Sequence, residues 1–190
     1  MNETVEKKRY TMADLISWPD EPRYELIEGE PVLFATPMRR HQEAVLNLAT
    51  VIRNYLRGKT CRVFIAPFGV RLFEKIGDRP ENTDTLVEPD ICVVCDQDKL
   101  DDYGCKGAPD MVVEVLSPSN RQYDLRTKYR LYEKAGVREY WVVDPDTNSV
   151  AVHLLEDGFY GSPVVYISSA KIKVEVLDDC WIDLEEVFSE

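Results

Sequence analysis

Two runs decide the fold: Pro89-Asp-Ile-Cys-Val-Val-Cys95 and Asp110-Met-Val-Val-Glu-Val-Leu116. A strand with one wet face alternates apolar and polar residues, whereas these runs are apolar almost throughout. Continuous apolarity over so short a length predicts central strands covered on both faces, the pattern of a layered α/β sheet. Outward from them, Arg40 to Arg57 carries Val45, Leu48, Ala49, Ile52 and Leu56 at helical spacing and stops at Gly58. A second helix is predicted from about Gln122 to Ala135, closed by Gly136. Between the first helix and the central strands, Arg62-Val-Phe-Ile-Ala and Gly69-Val-Arg-Leu-Phe73 read as one strand bent near Pro67, with a mobile polar loop after it over 74–88.

The flanks are simpler. Thr11-Met-Ala-Asp14 starts a short capped helix stopped by Trp18-Pro19, and Arg23 to Phe34 reads as two short strands about Gly29. Arg138-Glu-Tyr-Trp-Val-Val143 is a strand turned by Asp144-Pro-Asp-Thr-Asn-Ser149 into another from Val150 to Leu155, with further strands beyond. The expected architecture is α/β: one domain over 1–190 with a mixed central sheet flanked by helices and an additional antiparallel strand region at the C-terminal end.

Length and charge narrow the class. The chain has 190 residues, 44% hydrophobic and 31% charged, with a formal net charge of −12. That suits one soluble core and excludes disordered, collagen-like and coiled-coil chains. Neither a membrane-length apolar run nor a signal-peptide pattern is evident, so a cytoplasmic location without membrane association is expected. Five cysteines at irregular spacing argue against a disulfide scaffold. Cys92 and Cys95 have half a zinc-ribbon spacing, but no second pair follows, and a strand sends residues three apart to opposite faces. Broad adhesion to polyanions conflicts with the acidic balance, although Arg39 to Arg62 is locally basic, with Glu43 its single acid.

Charges inside apolar patterns are the chemical signal, because an unpaired buried charge costs several kcal/mol. Glu114 shares a strand face with Val112 and Leu116, and Asp90 begins the other central strand. Adjacent carboxylates repel unless one is protonated or a divalent cation lies between them. On a helical wheel of about 100° per residue, Lys128 falls within the arc of Leu125, Tyr129, Leu131, Tyr132 and Ala135 and so faces the sheet. His41 heads the buried face of the first helix, and Glu25 lies in the strand-like Tyr24-Glu-Leu-Ile27. Simpler readings exist: Lys128 with Asp124 as an i, i+4 ion pair, Asp90 as a turn cap, Glu114 as an acceptor for backbone N–H groups. Two acids with an inward lysine are nevertheless the parts of metal-assisted hydrolysis.

The order Tyr24-Glu-Leu-Ile-Glu-Gly-Glu30, His41, Glu88-Pro-Asp-Ile91, Val112-Val-Glu-Val-Leu-Ser-Pro-Ser119, Asp124, Lys128 and Gly136-Val-Arg-Glu-Tyr-Trp-Val-Val-Asp-Pro145 resembles the Uma2 family of the PD-(D/E)XK nuclease superfamily. The resemblance implies a restriction-endonuclease-like core and a DNA endonuclease using Mg²⁺, or Mn²⁺ in its place, to activate water. It implies Asp90 and Glu114 as metal ligands, Lys128 and Glu25 as further catalytic residues, and His41 and Asp124 as supporting positions. The superfamily lysine normally stands two residues after the second acid. Leu116 occupies that position here, and Lys128 on the following helix is the natural replacement. Arg39, Arg40 and Arg121 are the candidate phosphate contacts, and a homodimer is expected by analogy. A non-catalytic nuclease-fold binding module and a metal-dependent hydrolase of another phosphoester are the alternatives.

Overall fold

The computed structural model describes residues 8–34, 36–75, 77–117 and 124–189. Along the chain come α1 (Met12–Ile16), β1 (Tyr24–Ile27), β2 (Glu30–Leu33), α2 (Arg39–Tyr55), β3 (Arg62–Ile65), β4 (Val70–Arg71), β5 (Leu86–Val87) and β6 (Ile91–Val94). Next are β7 (Leu100–Asp101), β8 (Gly104–Lys106), β9 (Met111–Val115), and a π-helical segment, Asp124–Lys128, that runs into α3 (Tyr129–Ala135). The remainder is β10 (Glu139–Asp144), β11 (Ser149–Glu156), β12 (Phe159–Tyr160), β13 (Val164–Ile167), β14 (Lys171–Lys173), β15 (Trp181–Asp183) and α4 (Leu184–Val187).

The two apolar runs become β6 and β9, neighbours in a large mixed sheet ordered β12-β11-β10-β9-β6-β3, with β13 also paired to β11. Both are buried along their whole length, so their continuous apolarity reflects two covered faces. They run antiparallel, with Ile91 opposite Val113 and Cys92 opposite Val112. β9 and β10 run parallel, joined through α3, which is the crossover that parallel neighbours require. A smaller sheet, ordered β2-β1-β5-β4-β8-β7, packs beside the large one, and β14 and β15 form a separate hairpin.

Each face of the large sheet has its own core. On one face Ala44, Leu48 and Ile52 of α2 pack with Val113 and Trp141 of the sheet and with Ile172 and Ile182 of the C-terminal hairpin. On the other, Leu131 and Tyr132 of α3 meet Val112, Leu116 and Tyr140, and Val70 and Val87 bring in the small sheet. Trp141 is fully buried, and its indole N–H donates to Glu139 Oε1 at 2.7 Å. Truncating such a residue costs about 3–5 kcal/mol. Gly136 closes α3 at φ 87°, a left-handed cap where a side chain would be strained.

Several expectations change. The bent strand about Pro67 is instead two strands in two different sheets, β3 in the large and β4 in the small. The run 74–88 is more structured than a loop, carrying a 3-10 turn at Pro80–Asn82 and strand β5. The second helix is regular only over Tyr129–Ala135, and because its approach is π-helical the angular step changes. Leu125, expected to face inward, is 44% exposed. Cys61 and Cys95 form a disulfide, because extending the β3–β6 register by one residue sets them opposite each other. Cys92 lies free on the other face, so the separation of Cys92 from Cys95 is as expected.

Candidate active site

β6 and β9 position the two acids. Extending their register by one residue beyond Ile91 and Val113 sets Asp90 against Glu114, as their places at the strand ends suggested. Glu114 faces the layer that holds Val112 and Leu116 and is only 2% exposed. Asp90 stands where β6 begins, and its Oδ2 accepts from the backbone N–H of Val115 at 2.7 Å. The same oxygen lies 3.1 Å from His41 Nε2, on the buried face of α2.

Lys128 enters from the opposite layer. Its Nζ donates to Glu114 Oε1 at 3.0 Å and lies 3.1 Å from Glu25 Oε1, so one ammonium bridges the large sheet to the small one. All three side chains are almost fully buried, at 3–4% exposure. A charge in this setting survives because it is paired and hydrogen-bonded. The inward angle of Lys128 on the wheel is therefore correct, even though the segment that delivers it is π-helical. Glu25 also accepts from the backbone N–H of Glu88 at 2.8 Å, which fixes its carboxylate from the strand side. Glu88 pairs in turn with Arg23, while burial pushes its own carboxyl above the ordinary range.

Sequence reading assigned no role to Tyr132. Its hydroxyl donates to Glu114 Oε1 at 2.5 Å, and burial followed by the nearby Glu114 charge holds the phenol well above its usual pKa. The signal was present: a tyrosine on the inward arc must find an acceptor for its hydroxyl when buried. Ser117, at the exit of β9, is also buried and lines the cleft beside His41.

A cleft of about 250 Å³, lined by Arg23, Phe34, His41, Ala66, Asp90 and Ser117 among others, reaches the Asp90 side of this site. A second hollow of about 230 Å³ shares His41 and Ser117 and extends to Arg39, Arg40 and Pro145. Arg39 is exposed and bonded to Glu43 at 2.6 Å, and Arg40 lines the second hollow. Arg121 and the Asp124 side chain lie outside the described residues.

Hard carboxylate oxygens suit Mg²⁺ or Mn²⁺ better than a soft metal. Among the described residues no three His, Cys, Asp or Glu side chains are arranged to hold one ion. A cation here would rest on Asp90 and Glu114 with water completing its shell, a set that Mg²⁺ accepts because it gives up its waters reluctantly. Among the described residues no helix is long and apolar enough to cross a membrane.

Comparison with known proteins bears on the fold and the family. A crystal structure described as a "putative nuclease belonging to DUF820" from Anabaena variabilis superposes with a TM-score of 0.73, covering 94% of this chain and 97% of that one at 22% sequence identity. That match concerns the fold. An uncharacterized protein of Synechocystis sp., slr1290, is 26% identical over 149 residues, spanning 76% of this chain and 74% of the relative. The family model described as "Uma2: Putative restriction endonuclease" matches residues 12–185, from the start of α1 into α4. The chain belongs to the Uma2 family of restriction-endonuclease-like nucleases.

Proposed function

We propose that the chain is a divalent-cation-dependent endonuclease that hydrolyses DNA phosphodiester bonds, with Asp90 and Glu114 holding Mg²⁺ or Mn²⁺. The observation that carries this reading is the buried ammonium of Lys128 between Glu25 and Glu114, with Asp90 opposite Glu114 at the wall of a cleft. When bound, the cation supplies Lewis acidity, favouring deprotonated water at neutral pH.

The chain's own groups do the rest. Lys128 carries the positive charge that offsets the negative charge developing on the phosphoryl oxygens, and its low-dielectric surroundings strengthen that effect. Glu25 orients the ammonium from the small sheet. The Tyr132 hydroxyl fixes one Glu114 oxygen and leaves the carboxylate little freedom to rotate. His41 and the Val115 N–H hold Asp90 in the same way, so both acids are oriented before substrate arrives. Two such chains, one for each strand, would cut a duplex, and sedimentation in solution tests for the dimer.

The test is cleavage of a pool of single-stranded, duplex and branched DNA with Mg²⁺ or Mn²⁺. Wild type should yield products, and Asp90→Asn and Glu114→Gln should each cut at least roughly 10³-fold more slowly. Intact DNA in every condition with wild type, or undiminished cleavage by both variants, rejects the reading.

A further inference from the structure

The helical segment that aims Lys128 inward presents two arginines outward. Arg126 and Arg130 are both exposed, and both line one side of a hollow of about 430 Å³ floored by Ile27 and Leu131. Among the described residues neither has an ion-pair partner. Lys134, one further turn along, is already tied to Glu28 at 2.9 Å, which closes that end of the hollow and holds the Glu28 carboxyl below its ordinary range. Thr127 adds a hydroxyl to the same lining.

This hollow is locally basic in an acidic chain: Arg126, Arg130 and Lys134 line it against Glu28 alone, in a protein of net charge −12. Two unpaired guanidinium groups over one concavity leave several N–H donors free for an anion. Their planar forks match phosphate oxygens better than a point charge does. The apolar floor would take the sugar face between phosphates. An acidic peptide would meet the same charges, but the place of the pair on the segment that carries Lys128 favours the backbone of a nucleic acid.

We infer that Arg126 and Arg130 form a phosphate-binding track that holds the sugar-phosphate backbone of a nucleic acid beside the Lys128 site. The inference rests on the nuclease reading for its substrate class, yet it is tested without chemistry. Binding of labelled 20-nucleotide single-stranded DNA, duplex DNA, RNA and polyglutamate is measured in a metal chelator across a salt series. Full-length wild type, Arg126→Ala/Arg130→Ala and Arg126→Lys/Arg130→Lys are compared, with thermal melting to show that each is folded.

Expected is at least tenfold weaker nucleic-acid binding by the alanine pair, with a salt slope shallower by about 1.8 for duplex or about 1.4 for a single strand. The lysine pair should keep most of the slope. Unchanged affinity and slope in the alanine pair, no salt-dependent nucleic-acid binding by wild type, or equal loss of polyglutamate binding overturns the track. Because no cleavage occurs in chelator, a track that behaves as expected in a protein that never cuts DNA would sink the nuclease reading alone. Normal cutting with no change in binding would sink the track alone.

Discussion

Among the described residues two cations are buried, each between two carboxylates, and they differ in everything but charge. Arg71 is fully buried and donates to Glu74 at 2.5 Å and to Asp101 at 2.7 Å. All three belong to the small sheet and the turn beside it, so the set ties β4 to β7 locally. Lys128 instead joins a strand of the small sheet, a strand of the large sheet and the helix between β9 and β10, with Asp90 across the strand pair. Arginine stays charged in any protein setting and fixes geometry through its fork, while lysine is a compact charge that can respond to its surroundings. Burial of a charge therefore says little about function. Convergence of distant elements beside a cleft says more.

Removing Lys128 leaves two buried carboxylates together and should cost about 3–5 kcal/mol of stability by urea titration, whereas removing Arg71 leaves the buried Glu74 beside the more exposed Asp101 and should cost less. The two variants should part on activity. Lys128→Met should abolish cleavage at a temperature where it remains folded, whereas Arg71→Met should still cleave. Equal activity in the two would erase the distinction drawn here.

How far this was readable in advance depends on range. β6 and β9 were legible because two-sided burial writes continuous apolarity into the chain, and Glu114 stood out against it. Lys128 was legible because one inward lysine on an amphipathic segment needs an anion. The bridge to Glu25 was not, since nothing local says that β1 joins a second sheet lying under α3. Arg71 was missed although Gly69-Val-Arg-Leu-Phe73 sets a charge in an apolar run just as the Glu114 segment does. Glu139 escaped for the same reason, and it is fully buried, accepting from Trp141 Nε1 and from the Val176 N–H at 2.8 Å. The Cys61–Cys95 bond depends on strand register, which irregular cysteine spacing does not report. Leu125 failed because a π-helical turn breaks the angular rule used to place it.

A milder change sharpens the comparison from the side of Glu114. Tyr132→Phe deletes a hydrogen bond to a charged acceptor, and a loss of about 2 kcal/mol is expected in urea unfolding. Cleavage should fall while DNA binding in chelator stays at the wild-type level. Unchanged cleavage would mean that the hydroxyl supports the fold without positioning the carboxylate.

The smallest effect concerns a buried ionisable group in neither set. His153 packs against Tyr129, Tyr140 and Tyr160, and burial holds its imidazole below the ordinary 6.5. The unfolded chain then binds more protons in the window between the lowered folded value and 6.5. Stability is full above 6.5 and declines as pH falls through that window. Urea midpoints at about pH 5 and about pH 7.5 should show a smaller acid-side loss in His153→Phe than in wild type. Identical losses would mean that this imidazole does not contribute to acid sensitivity.

Calorimetric titration of Mn²⁺ into the full chain goes to the centre of the account. Wild type should give a saturable heat, and Asp90→Asn and Glu114→Gln, both still folded by thermal melting, should each lose it. No heat from wild type, or the same heat from both variants, would contradict a cation held between these two carboxylates.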